Sequence, residues 1–438
     1  MSTADLSQRI YRQFGIGPLV PEKQIELYVD LTEVRGKMDA ANRLEQVINF
    51  SEEKTTCQLL AGHNGSGKST ELYRLKKKLE SSEPRFFVVY IKSDDELDRN
   101  DVDFPDILIA IIRQLAFQLQ KSEGITLKPG YFEDRFNWLK KRLTSPLDFD
   151  ALELNLGFLK LGGHMRASPD ARKEIRKYFE PDASNWLYAA NDVIGQSIQQ
   201  LNAKGYAGLV VLIDDLDKMT VRAHETGCPT DEYLFVNRAA QLTAFNCHMV
   251  YTIPLSLAYS HLEPVIRSRY GGQIPVVPMT KIAQKPPKKD PYELGMEKFR
   301  QIVIRRLEAA QAVVTQVFED ENAQNELISL SGGQPDELMR LVREAIITDG
   351  LPIKHDSLKR LKIDGQREFK RLIRAEHWPI INEISKTGEF VRNANQESLF
   401  RELLNSRTIL QYVNDEEWYG LNPMVVGIKP PEKKSSKK

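Results

Sequence analysis

"AGHNGSGKST", residues 61–70, is the stretch on which the reading of this chain turns. Gly62-His63-Asn64-Gly65-Ser66-Gly67-Lys68-Ser69 fits G-x-x-x-x-G-K-[ST] without a mismatch, and Thr70 follows. Glycines let a backbone wrap closely round an anion and turn its N–H groups inward, and a helix N-terminus behind them adds positive potential. An apolar run, Cys57 to Leu60, precedes the loop, and the helix-prone "ELYRLKKKLE" follows it. Strand, glycine loop and helix form the context in which this pattern binds phosphate. Gly62 to Thr70 are therefore the candidate nucleotide-binding residues. Lys68 would neutralise the β- and γ-phosphates of ATP, and the Ser69 hydroxyl would ligate Mg²⁺.

Such a metal needs a carboxylate from a neighbouring strand end, and "GLVVLIDDLDKM" (208–219) offers one. Leu209 to Ile213 read as a buried strand, and Asp214 stands at its C-terminal end, where ligands collect in parallel sheets. Asp214 is the candidate metal residue, and Asp215 the candidate group that orients or activates the attacking water. The competing reading is a solvated acidic turn. Asp215 is shorter than the Glu many such ATPases carry, which predicts slow hydrolysis.

Further strands are expected at Phe86–Ile91, Met249–Ile253 and Ile274–Val277, with helical patterns between them, as a parallel α/β sheet requires. The separation of Lys68 from Asp214 exceeds one crossover, so an insertion occupies about 94–205 of a core at 46–282. Within it, Leu152, Leu154, Leu156 and Phe158 alternate with Glu153, Asn155 and Gly157, a strand period that suggests a small hairpin or a mobile loop. His164 there reads as a surface residue. Thr252, near a strand tip, is a candidate sensor of γ-phosphate or water, against the plain reading of β-propensity. Arg267 and Arg269 precede the last strand as candidate arginine fingers toward a neighbouring subunit, against a solvated helix face.

"AQKPPKKDP" (283–291) reads as a linker. Beyond it, residues 292–350 turn helical, with Gly332-Gly333 closing one helix and Pro335 opening the next, as expected of a lid. Residues 366–428 suggest two amphipathic helices and a hairpin, Ile409–Val413 and Trp418–Leu421, flanking Asn414-Asp415-Glu416: the order of a winged helix. Residues 1–45 form an N-terminal segment, and 429–438 a basic disordered tail.

Composition sets limits on function. Lys+Arg and Asp+Glu are both 61, so the overall balance does not call for nucleic acid or membrane. A hydrophobic content of 41% suits a globular protein with real cores. No apolar run has membrane-spanning length, and "MSTADLSQRIYRQFG" lacks a signal-peptide core, so a cytoplasmic protein is expected. Cys57, Cys228 and Cys247 lie far apart without metal or disulfide spacing. No Ser/His/Asp or Cys/His grouping and no His pair supplies a second enzymatic centre.

Loop, Asp-Asp strand, Thr strand, lid and winged helix in this order resemble the AAA+/STAND class of P-loop ATPases. "LIDDLDK" is similar to the KAP-type branch, and "SGGQPDELMRL" to the lid motif of STAND proteins and Cdc6/Orc-like initiators. The resemblance covers roughly residues 27 to 425 and implies a five-stranded parallel ASCE sheet under a helical lid, with a C-terminal winged-helix domain. It further implies that Pro335 packs near adenine and that "YVDLTEVRG", through Val34 or Arg35, joins the base pocket. Relatives often carry Arg after the lid Pro; here Asp336 stands there, and Arg340, one turn on along the same face, is the substitute.

The resemblance also implies a switch: an ATPase whose lid and winged helix swing with nucleotide state and whose output passes through a homo-oligomer or a separate effector. Anti-phage defence is the role that analogy suggests. The alternative is a DNA-binding initiator or transposition-type regulator. The acidic wing (Asp415, Glu416, Glu417) opposes nucleic acid, whereas the basic tail and "QKPPKK" favour it.

Overall fold

The computed structural model describes residues 3–20, 24–51, 54–127, 169–391, 393–414 and 416–430. The alternating segment around Leu152–Phe158, His164, Asp415 and most of the basic tail lie outside them. The chain divides into two compact units: Met1–Ala40, Gly62–Tyr73 and Val276–Lys438 form one, and Ala41–Ala61 with Arg74–Pro275 the other.

The sheet consists of β1 (Cys57–Gly62), β2 (Phe86–Lys92), β3 (Gly208–Asp214), β4 (His248–Pro254) and β5 (Val276–Val277), in the order β2-β3-β4-β1-β5. β2 and β4 both run parallel to β3, with Lys92 opposite Asp214 and Val211 opposite Met249. Every residue of β3 and β4 is buried. That is why they read as largely apolar runs without alternation: strands covered on both faces have no solvent side to alternate with. β5 is shorter than the expected Ile274–Val277, because Ile274 and Pro275 precede the paired residues, although the Pro275 carbonyl still accepts from Ala61 N at 2.9 Å.

In the second unit the helix Phe104–Glu123 is bounded by its own sequence. Asp103 and Asp106 form a capping box at its start, and Gly124 at φ +65° ends it in the left-handed region. The Asp103 carboxylate also receives two bonds from Arg238, at 3.0 and 2.9 Å, so a buried arginine is paired where desolvation would otherwise be costly.

In the first unit, the helices Glu293–Ala309, Glu321–Leu330, Pro335–Asp349 and His355–Leu372 share one core. Ile10 of the N-terminal helix Thr3–Gln13 and Phe14 just after it are fully buried in it, as is Val34. The first amphipathic helix expected after residue 366, in "REFKRLIRAEHWPIINEIS", falls on parts of two helices, His355–Leu372 and Trp378–Thr387. The backbone turns extended at Ile373 and Arg374 between them, and Pro379 stands in the first turn of the second helix, where its missing N–H leaves no helical bond unmade. The helix Glu397–Asn405 and the antiparallel hairpin β6 (Ile409–Asn414) and β7 (Glu416–Leu421) complete the helix–helix–hairpin module. The hairpin is tighter than expected, since Asn414 and Glu416 pair with each other.

Gly333, between lid helices, has φ +74°, and a Cβ there would lie 1.9 Å from the Thr280 carbonyl oxygen. Thr280 N in turn donates to Gly333 O at 3.1 Å, which fixes the approach. Gly333→Ala is expected to destabilise this unit by about 3 kcal/mol, combining a disfavoured φ with overpacking. An unchanged melting profile would contradict that reading.

Candidate functional site

β1 delivers the chain into the glycine loop, and the helix Lys68–Ser81 takes it away. Gly62, Gly65 and Gly67 have φ of +152°, +82° and +106°, values that side-chain-bearing residues rarely adopt. A Cβ on Gly62 would lie 2.6 Å from the Val277 carbonyl and 2.9 Å from Ser66 Oγ. The backbone is therefore wrapped too tightly for any residue but glycine. The Lys68 ammonium is buried and donates to the carbonyls of Gly62 and His63, both at 2.8 Å. Ser69 lies in the first helical turn, and Thr70 Oγ1 accepts from Leu19 N at 3.2 Å.

The sheet has strand order β2-β3-β4-β1-β5, with parallel pairing around β3 and a glycine loop at the end of β1. This is the P-loop NTPase fold. Solved structures similar to this P-loop chain include the Walker-type ATPase of Pyrococcus abyssi, at 14% identity and TM-score 0.43 over 94% of this chain and 98% of that one. The Aeropyrum pernix ORC2 protein, in ADPNP–ADP complexes, is similar at 11% identity and TM-score 0.40, covering 91% and 94%. The Aeropyrum pernix ORC1 protein in complex with DNA follows at 13% identity and TM-score 0.35, covering 93% and 90%. No family model matches the chain, and no curated protein matches it.

Around the P-loop, three contacts come from distant parts of the sequence. Arg35, expected near the base, places Nη2 2.6 Å from the Ser66 carbonyl and Nε 3.2 Å from Thr280 Oγ1. Asp336, in the first turn of Pro335–Asp349, lies against the loop: a Cβ on Gly65 would be 2.9 Å from its own Cβ. Gln411 N, on β6, donates to His63 Nε2 at 2.9 Å. Burial first, then the charges of Lys68 and Arg407, push His63 down to about 3, while the Leu404 carbonyl works the other way. A neutral imidazole is what the contact requires, because a protonated Nε2 has no lone pair for Gln411.

Other expected residues fall elsewhere. Val34 is packed in the lid core. Arg340 is turned along its own helix to Glu337, with bonds of 2.9 and 2.6 Å. Pro335 opens that helix, half-buried.

The acidic constellation is described within the other unit. Asp214 is buried at the end of β3; its Oδ1 accepts from Asp215 N at 2.8 Å, and its Oδ2 from the Tyr90 hydroxyl at 2.6 Å. Asp215 adopts φ +66°, and its carboxylate pairs with Lys218 at 2.5 Å. Burial first, then the Asp214 charge, push its carboxyl up to about 6, against the pull of Lys218. Ligand atoms of Asp214, Asp215 and Asp217 lie within 4.8 Å of one another. Thr252 Oγ1 accepts from Leu216 N at 2.9 Å, so it fastens the turn that carries Asp215. Arg267 pairs with Glu263 at 3.6 Å, and Arg269 donates to the Val236 carbonyl; both are exposed on the helix Glu263–Arg269.

Taken unit by unit, the glycine loop suits a phosphate and the carboxylate cluster suits a divalent cation. The tight glycine cradle excludes side chains where an anion would be wrapped. Ser66 Oγ and Asn64 Oδ1 are buried polar atoms with no partner among the described residues. Clustered carboxylates are the hard oxygen donors that Mg²⁺ takes. Sequence reasoning missed Tyr90, Lys218, Thr280 and Gln411. Only Lys218 carried a local signal, three residues after Asp215 on the same turn.

Among the described residues no helix is long and apolar enough to cross a membrane.

Proposed function

We propose that this chain is an ATP-binding, slowly hydrolysing switch ATPase whose nucleotide state is read by its lid and C-terminal winged-helix module. The observation that carries the reading is the bond from Gln411 N to His63 within the glycine loop, which ties the hairpin directly to the phosphate-binding backbone. Gly62 to Thr70 would hold the phosphates, with Lys68 as their counter-charge. Ser69 and Asp214 would hold Mg²⁺, which supplies charge neutralisation between the β- and γ-phosphates. Asp215 would orient the attacking water, and Arg267 or Arg269 would complete the site of a neighbouring copy. A two-state element biased by ligand is the physical requirement for a switch, and the hairpin docked on His63 is the element we assign to that role.

Output through assembly or a separate effector is the form we infer, no second catalytic grouping being found among the described residues, and a role in prokaryotic defence is the biological form we favour. Glu416 and Glu417 are exposed at the hairpin, so a nucleic-acid backbone approaching there would meet carboxylates.

The test is hydrogen exchange of the peptide containing Ile409–Asn414. Addition of ATP and Mg²⁺ is expected to raise exchange at Gln411 N–H in the parent chain and to leave Lys68→Ala unchanged. Identical protection in the parent with and without nucleotide would remove the switch.

A further inference from the structure

We propose that Tyr90 is a positioning residue for the magnesium-holding carboxylate of Asp214, resting on the ATPase reading above. Its hydroxyl donates to Oδ2 at 2.6 Å while the Asp215 amide donates to Oδ1 at 2.8 Å, so the carboxylate is pinned at both ends. Each oxygen keeps a second lone pair for the metal or its water. Mg²⁺ demands nearly ideal octahedral geometry with ligands at about 2.1 Å, so orientation of the donor matters more than its raw charge. A phenol draws some electron density from the carboxylate but fixes its plane, the task outer partners perform at metal sites.

The tyrosine is itself held. β2 is an edge strand, and there the Tyr90 backbone pairs with a side chain instead of another strand. Its N–H donates to Gln118 Oε1 at 3.3 Å, and its carbonyl accepts from Gln118 Nε2 at 2.9 Å. Gln118 Nε2 also donates to Gln114 Oε1 at 3.0 Å, and Gln114 Nε2 to Glu96 Oε1 at 2.6 Å. The helix Phe104–Glu123 thus grips the strand at the residue that touches Asp214. Side-chain amides completing a strand edge satisfy backbone groups there, and here they also set where the phenol points.

Tyr90→Phe removes one oxygen and leaves the ring. Binding of a fluorescent ATP analogue, titrated with MgCl₂, is expected to show a half-saturating Mg²⁺ concentration raised about tenfold. Affinity measured in EDTA should be unchanged. In an Asp214→Asn background the same Tyr90→Phe substitution should add nothing, because the group through which it acts is already altered. An unshifted Mg²⁺ midpoint would overturn the proposal. So would an equal loss in EDTA or in the Asp214→Asn background, since either would mark a general packing role. A parent chain that bound the analogue neither with nor without Mg²⁺ would instead overturn the ATPase reading on which this one rests.

Discussion

Lys68→Ala is expected to abolish ATP binding, with affinity lowered by at least about 100-fold. Two or more charge-assisted hydrogen bonds to phosphate oxygens disappear with the ammonium, each worth about 1.5–3 kcal/mol. The side chain is buried in the loop and held by two of the loop's own carbonyls, at 2.8 Å each, so it is already positioned among the backbone groups that face the ligand. Its removal also leaves the Gly62 and His63 carbonyls short of a donor. Lys68→Arg is the control for that contribution: it keeps a cation and changes only reach and shape. Isothermal titration with ATP and Mg²⁺ measures both variants, and parental affinity in Lys68→Ala would remove the glycine loop as the nucleotide site.

Asp215→Asn should separate binding from turnover. Hydrolysis is expected to fall at least about 100-fold, the usual contribution of a positioned general base, while ATP affinity stays near the parental value. The substitution is gentle on the backbone. Asp215 sits at φ +66°, a region that Asn enters as readily as Asp. The Lys218 pairing weakens, but the Asp214 carboxylate and the Thr252 bond to Leu216 N remain to shape the turn. Phosphate release under single-turnover conditions is the measurement. A parental rate would reassign the water-orienting role to another residue.

The strands and the glycine loop were legible because they obey local rules. β3 is apolar from Leu209 to Ile213 and β4 is mostly so, and the loop's glycines take backbone angles that other residues rarely adopt. Helix ends were less legible: the end at Gly124 was not read, although its φ of +65° closes the helix, and the break at Ile373–Arg374 hid inside a continuous amphipathic pattern. What escaped was contact between residues far apart in sequence. Nothing around Gln411 announces a bond to His63, since it is a backbone N–H that does the donating. Tyr90 read as one more β-former in a strand, and only the register of β2 against β3 brings its hydroxyl to Asp214. Val34 and Ile10 join the lid core across nearly the whole chain length, a pairing that periodicity cannot foretell.

Asp336 carries a consequence for energetics. After Pro335 this chain holds the Asp336 carboxylate against Gly65, beside the glycine turn proposed to wrap phosphate. On the proposed ATPase reading, a triphosphate in the loop would approach this carboxylate, and part of its intrinsic affinity would go into moving the first turn of Pro335–Asp349. Apparent affinity is then intrinsic affinity discounted by the population of the displaced form. Nucleotide concentration, rather than catalytic speed, would set when this molecule changes state.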